Sequence, residues 1–353
     1  MFQPSAKSIA LIEDLERRID PETEEDFKNQ WRDFLFDRFD GEMFVPKRKK
    51  LSAPTEELAQ IHINDAIEDY DQMLQMQLSQ LSATLNSPNR CLCLRANYGT
   101  GIMSSVFGAE FYMMPRQMHT LPTTKACNDP EWIRAMVERG IPDYHSALGK
   151  KVFDFGEICA ELFAKYPKVA KYVTMYHPDF QGPLDTCELL WGAEIFYSMY
   201  DEPELVHGAL SLITETFVKA MTEWYQLFPA SDEMNPHWES FFHRGKLVLR
   251  SDSAMNVSPD LYREFSLPYD KILLEKFDGG AVHFCGRGDH YIDIICNEPG
   301  VYAINMSQPE YNDMEKIYKN TVDKGIKILS FQKKQAEADI GRAGAFHSNI
   351  HVQ

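Results

Sequence analysis

Gly279-Gly280-Ala281-Val282-His283-Phe284-Cys285-Gly286 is the stretch on which the reading of this chain turns. A glycine pair precedes it and the polar run Arg287-Gly288-Asp289-His290 follows, so the apolar residues between read as a short buried strand entering a loop. Successive side chains of a strand point to opposite faces. A strand over 281–285 therefore places His283 and Cys285 on one side and Phe284 on the other.

The same beat recurs around it. Lys246-Leu247-Val248-Leu249 leads into Ser251-Asp252-Ser253, and Val301-Tyr302-Ala303-Ile304 leads into Asn305 and Ser307. Cys91-Leu92-Cys93-Leu94 runs into Arg95-Ala96-Asn97-Tyr98-Gly99, and further strands are expected at 108–113, 171–177 and 326–331. Helices are expected at 130–140, 155–166, 185–200, 203–228, 258–277, 289–297 and 310–324. Alternating strand and helix implies a parallel sheet. Polar residues at successive strand C-terminal ends are the layout of a (β/α)8 barrel active site. A doubly wound open sheet is the runner-up, but the chain has no G-x-G-x-x-G turn and no Walker A motif. The first 85 residues read differently, as charged amphipathic helices at 6–18 and 22–39 and a third spaced on Ile63, Ile67, Tyr70, Leu74, Leu78 and Leu81. The expected organisation is an α/β chain: a helical N-terminal extension over 1–85, serving as a lid or homodimer element, and a (β/α)8 TIM barrel over 86–353. The basic run Lys47-Arg48-Lys49-Lys50 reads as a solvated linker, with an anion site as the alternative.

Composition bounds the function. The chain has 353 residues, 44% hydrophobic and 25% charged, which is ordinary for a globular protein with a sizeable core. A net charge of −17 argues against nucleic acid as a partner. No apolar leader and no run long enough to cross a membrane appear, and the seven cysteines are scattered, so a reducing cytoplasmic setting without structural disulfides is expected.

An imidazole and a thiolate side by side are two ligands for zinc; the competing reading is a buried His and Cys of the core. Asp252, at a strand end, can accept a proton or orient a ligand, or cap the next turn. Arg95, Asn97, Tyr98, Gln181 and Asn305 are the substrate-binding candidates, because each sits where a strand gives way to a loop. His177 with Asp179 is a further pocket pair or a surface loop. Asp185 reads as a helix cap, Ser258 as the N-cap before Pro259, and Arg287–Asp289 as a local ion pair. The Cys91-x-Cys93 pair reads as core. No nucleophile elbow, EF-hand loop or H-E-x-x-H is present.

Two blocks carry a family resemblance. Ser251-Asp252-Ser253-Ala254-Met255-Asn256-Val257-Ser258-Pro259-Asp260-Leu261-Tyr262-Arg263-Glu264-Phe265 with Leu267-Pro268-Tyr269, and Gln181-Gly182-Pro183-Leu184-Asp185, resemble the uroporphyrinogen decarboxylase superfamily. His283-Phe284-Cys285-Gly286 looks like the zinc-binding His-x-Cys of its methyltransferase branch. The resemblance spans about residues 90–335. It implies a (β/α)8 barrel enzyme that moves a methyl group between a corrinoid protein, or a small methyl donor, and a thiol-type acceptor, with zinc on His283 and Cys285. Uroporphyrinogen decarboxylase itself, a carboxy-lyase, is the alternative; against it, only Arg95 stands where that enzyme has an Arg-rich motif, and 106–119 holds no Asp. A non-catalytic corrinoid or tetrapyrrole binding protein is the third reading. The branch completes its zinc site with a late Cys, but no Cys follows Cys296 here, which leaves His347 and His351 as late candidates.

Overall fold

The computed structural model describes residues 2–342 and 345–353. Two amphipathic helices open the chain, α1 (Ala6–Arg18) and α2 (Pro21–Leu35), each capped by the side chain before it, Ser5 and Asp20. The helix expected through Ile63–Leu81 is two, α3 (Ile63–Glu68) and α4 (Tyr70–Thr84). Asp69 stands between them in extended conformation and accepts the Gln72 N–H, so it restarts the helix rather than continuing it.

Seven short strands in parallel ladders follow among the described residues: β1 (Cys93–Leu94), β2 (Thr174–Met175), β3 (Leu247–Arg250), β4 (Gly280–Phe284), β5 (Val301–Met306), β6 (Lys327–Phe331) and β7 (Ile350–Val352). β1 and β2 form one parallel pair; β3 to β7 form a five-stranded parallel sheet in the order β7-β6-β5-β4-β3. Helices cover the connections, so the parallel α/β layout expected from the sequence is present. The two ladders are separate among the described residues. A side chain spans one gap between them: His177, just past β2, accepts the backbone N–H of Val248 on β3 at 3.0 Å. Phe44 extends the far edge by pairing with β7 at His351.

Alternation along the strands sorts two cores. Val248, Ala281, Ala303 and Leu329 face a cluster that also takes Phe27, Trp31, Phe34 and Phe44 from the N-terminal region. Leu247, Leu249, Val282, Ile304 and Ile328 face the covering helices. Phe34 and Phe44 stack at 4.5 Å and Trp31 meets His351 at 4.6 Å. The apolar face of α2 is thus packed against the face of the sheet turned away from the covering helices.

Several expected elements differ. Residues 108–113 contribute Phe111–Tyr112, which pairs antiparallel with Thr123–Thr124 instead of joining a parallel sheet. The helix at 185–200 breaks at Gly192, whose φ of +80° ends Pro183–Trp191 before Glu194–Asp201 begins. The polar tail after residue 332, whose sequence reads as helical up to about Gly344, is helical over Lys333–Asp339, and Gly344 itself lies outside the described residues.

The helix expected at 258–277 also breaks, into Pro259–Phe265 and Leu267–Lys276, because Pro268 has no N–H to continue the ladder. The corner buries Asp270, whose carboxylate accepts from Ser266 Oγ at 2.9 Å and Tyr262 OH at 3.3 Å. Burial pushes its pKa up to about 7. A carboxyl whose pKa is raised on folding stabilises the fold below its unfolded value and loses that contribution as pH rises through about 7. Asp270→Asn is therefore expected to be stabilising at pH 8 relative to pH 5, by on the order of 2 kcal/mol. Urea unfolding at the two pH values measures this, and an equal effect at both would refute it.

Candidate metal centre

β4 is held in place by glycine. A Cβ on Gly280 would come within 1.7 Å of the Leu247 carbonyl oxygen, so only glycine lets β4 approach β3 here. The register then aligns Arg250, His283 and Asn305 side by side on β3, β4 and β5. Gly286, at φ +71°, turns the chain out of the strand with Met255 packed against it. Asn312 clamps the loop that follows: its Oδ1 accepts the N–H groups of Gly288 (2.7 Å) and Asp289 (3.0 Å), and its Nδ2 donates to the Gly286 carbonyl (2.9 Å).

His283 and Cys285 do share one face, and Asp252 at the end of β3 meets them. His283 Nε2 lies 3.5 Å from Cys285 Sγ and 3.7 Å from Asp252 Oδ1. One ligand atom from each of the three falls within 4.8 Å of the others. Asp252 Oδ1 also accepts the Cys285 backbone N–H at 2.6 Å, which fixes the carboxylate beside the strand end.

Asn305 sets the tautomer. Its Nδ2 donates to the Leu329 carbonyl at 2.7 Å, so its Oδ1 faces His283 Nδ1 at 2.6 Å. Nδ1 then carries the proton and Nε2 presents its lone pair to the cluster, as a metal ligand requires. Burial lowers the His283 pKa and keeps the ring neutral, while burial pushes the Cys285 thiol up. Imidazole nitrogen, thiol sulfur and carboxylate oxygen at this spacing fit zinc with one position left open. Asn305→Leu is expected to weaken zinc binding by roughly 10–100-fold while leaving the three ligands in place. Competition with a chromogenic chelator reads this out; unchanged affinity would remove Asn305 from the site.

The other predicted residues distribute themselves unevenly. Gln181 is buried and lines a cleft of about 480 Å³ with Asp185, Asp252 and Ser253. Its Nε2 donates to Asp179 Oδ1 at 3.1 Å. Arg95 pairs with Asp179 at 3.2 Å, and Asp179 also pairs with Arg250 at 3.0 Å. Asn97 is half-buried, and Tyr98 is packed in the core edge-on to Phe155 rather than in the cleft. His177 makes no pocket pair with Asp179, since its two nitrogens meet the Pro178 carbonyl and the Val248 N–H. Ser258 caps Pro259–Phe265 and Arg287 pairs with Asp289 at 2.6 Å.

Two late residues do not reach the cluster. His351 points into the aromatic core and accepts the Ser330 N–H at 3.0 Å, while His347 lies near Asp323 at 3.6 Å. Cys296 is buried in the core. The third group that meets His283 and Cys285 is Asp252.

Two contributors were not visible in the sequence. Asp185 caps nothing of its own helix. It is buried and accepts the N–H groups of Asp252 (3.0 Å) and Ser253 (2.7 Å), so it pins the loop that carries the third donor. Burial, then the neighbouring Asp252, raises its pKa to about 7. A hairpin of Asn235–His237 and Phe241–His243 places Trp238 at its tip, with positive φ at Trp238 and Glu239. Its ring stands 4.7 Å from the His283 ring and 4.8 Å from the Arg250 guanidinium, walling one side of the cluster. No local cue marks the turn, because neither Trp nor Glu ordinarily signals a left-handed backbone.

No protein-family model matches the chain, and no curated protein matches it either. Among solved structures, a methyltransferase from Methanosarcina mazei superposes over 92% of each chain with a TM-score of 0.60 at 14% identity. At that identity the likeness is one of fold: an α/β chain with parallel sheets. No helix among the described residues is long and apolar enough to cross a membrane.

Proposed function

We propose that this chain is a methyltransferase whose Asp252–His283–Cys285 cluster holds zinc and activates an acceptor thiol. The cluster itself carries the reading: three donors of complementary type, one tautomer fixed by Asn305, at the ends of adjacent parallel strands. Zinc bound there would hold the acceptor sulfur as a thiolate at neutral pH. Asp252, His283 and Cys285 would supply the ligand atoms, and the Trp238 ring walls the His283 side of the cluster. The acceptor sulfur forms a bond to the methyl carbon as the bond from methyl to its carrier breaks, and that electron pair stays on the carrier. A corrinoid, free or on a partner protein, is the carrier we favour, because the sequence resemblance implies it; the fold likeness to a methyltransferase supports methyl transfer and names no carrier. We read the two parallel ladders as arcs of one barrel-like wall, with His177 bridging a seam. The helical first 85 residues are then its N-terminal layer.

Turnover tests this. Zinc-loaded protein given methylcobalamin and a small thiol is expected to bleach the methylcobalamin spectrum and yield the thioether, and chelated protein is not. Zinc bound at the cluster with no thioether from any of a panel of thiols would overturn methyl transfer.

A further inference from the structure

A second cavity, of about 590 Å³, lies away from the metal cluster and shares no lining residue with the cleft beside it. It opens along β2 and the start of β3, where the two ladders are not joined strand to strand. Phe163, Val173, Leu227, Phe228 and Met234 give it apolar walls. Its volume is that of a small-molecule site.

One of the cations around it has no direct partner. Four cations line it: Lys28, Arg32, Lys171 and Lys246. Arg32 pairs with Glu233, Lys171 with Glu25 at 3.2 Å, and Lys246 with Asp232 and Asp278 at 2.8 and 2.6 Å. Lys28 has no carboxylate within salt-bridge distance among the described residues; its ammonium lies 5.3 Å from the Tyr172 ring centroid. A second group on the wall is also open. His243 is 1% exposed, and its Nδ1 donates to the Arg244 carbonyl at 3.0 Å. That bond fixes the proton on Nδ1 and leaves Nε2 as an acceptor without a hydrogen bond among the described residues.

We propose that this cavity is a binding site for a small monocarboxylate with an apolar body, its carboxylate on Lys28. The Lys28 ammonium has no direct carboxylate partner, with Glu24 and Glu25 acting on it only from farther away, so it can take one carboxylate, whereas a phosphate monoester would bring close to two charges to a wall whose other ion pairs already balance. The apolar walls take an aliphatic or aromatic tail, and His243 Nε2 can accept from a hydroxyl or amine on that tail. The site is separate from the cluster above and does not depend on the reading of it.

Titration calorimetry of the full chain with n-octanoate tests the proposal, with n-octylamine as the cationic counterpart. Saturable octanoate binding is expected, weakened at least tenfold by Lys28→Met and largely retained by Lys28→Arg. Cys285→Ser is expected to leave it unchanged, which separates this cavity from the metal cluster. Melting temperature confirms that Lys28→Met is folded. No saturable octanoate binding, equal binding of octylamine, or full binding by folded Lys28→Met would each overturn the site.

Discussion

Cys285→Ser is expected to empty the metal cluster. Wild-type protein loaded with zinc and dialysed should retain about one equivalent per chain, since two or three protein donors of this kind hold the ion tightly. The variant should retain almost none, and methyl transfer should fall below detection with it. The serine hydroxyl is a poor zinc ligand at neutral pH, and the half-buried position tolerates it sterically. His283→Ala is expected to act the same way, because Nε2 is the central donor at 3.5 Å from sulfur and 3.7 Å from the Asp252 carboxylate. Cys296→Ser is the control: this cysteine is buried in the core and far in role from the cluster, so zinc content should not change. Elemental analysis of the four proteins decides the matter. A Cys285→Ser protein with full zinc would place the ion elsewhere and end the assignment.

The pairing of His283 with Cys285 was readable because a strand's period of two is a local property. The parallel α/β layout was readable for a similar reason, since each strand announces itself by a short apolar run ending in polar residues. Asp252 was singled out by its place at a strand end, yet its partnership with the pair depends on the β3–β4 register, which no local signal encodes. The resemblance, whose branch has a late cysteine ligand, points instead to His347 and His351, whereas the carboxylate that meets His283 and Cys285 lies a strand earlier. Trp238 escaped notice for a deeper reason. Its hairpin sits in a stretch with no periodicity, and its left-handed backbone is imposed by tertiary packing against Arg250 and His283 rather than by turn-forming residues. Helix breaks at Asp69, Gly192 and Ser266 were likewise smoothed over, because hydrophobic periodicity continues across each of them even where the backbone does not.

The basic run at 47–50 shows how far context can overrule composition, and it carries a large expected stability effect. Read as solvent-facing, it in fact buries Arg48 to 2% exposure. The guanidinium forms a two-pronged pair with Glu24 on α2, at 2.8 and 3.1 Å, and lies over the Phe27 ring at 4.7 Å. Its remaining protons go to the carbonyls of Thr84 (3.2 Å), Ser87 (2.7 Å) and Arg90 (3.0 Å). One side chain thus ties α2, the end of α4 and the segment entering β1. Arg48→Ala strands a buried carboxylate and three carbonyls together, so a loss of about 3–5 kcal/mol is expected in urea unfolding. Arg48→Lys keeps the charge but cannot reproduce the planar fork, and should recover only part of that loss. Lys49→Ala provides the contrast, because Lys49 is solvent-exposed and its pair with Asp26 lies at the surface; no measurable change is expected. If Arg48→Ala unfolds at the wild-type midpoint, the buried pair does not anchor the N-terminal helices. If instead a combined Glu24→Leu, Arg48→Met variant regains much of the stability lost by Arg48→Ala, the cost lay in the uncompensated charge, and the pair's own contribution is to fix where α2 docks against the sheet.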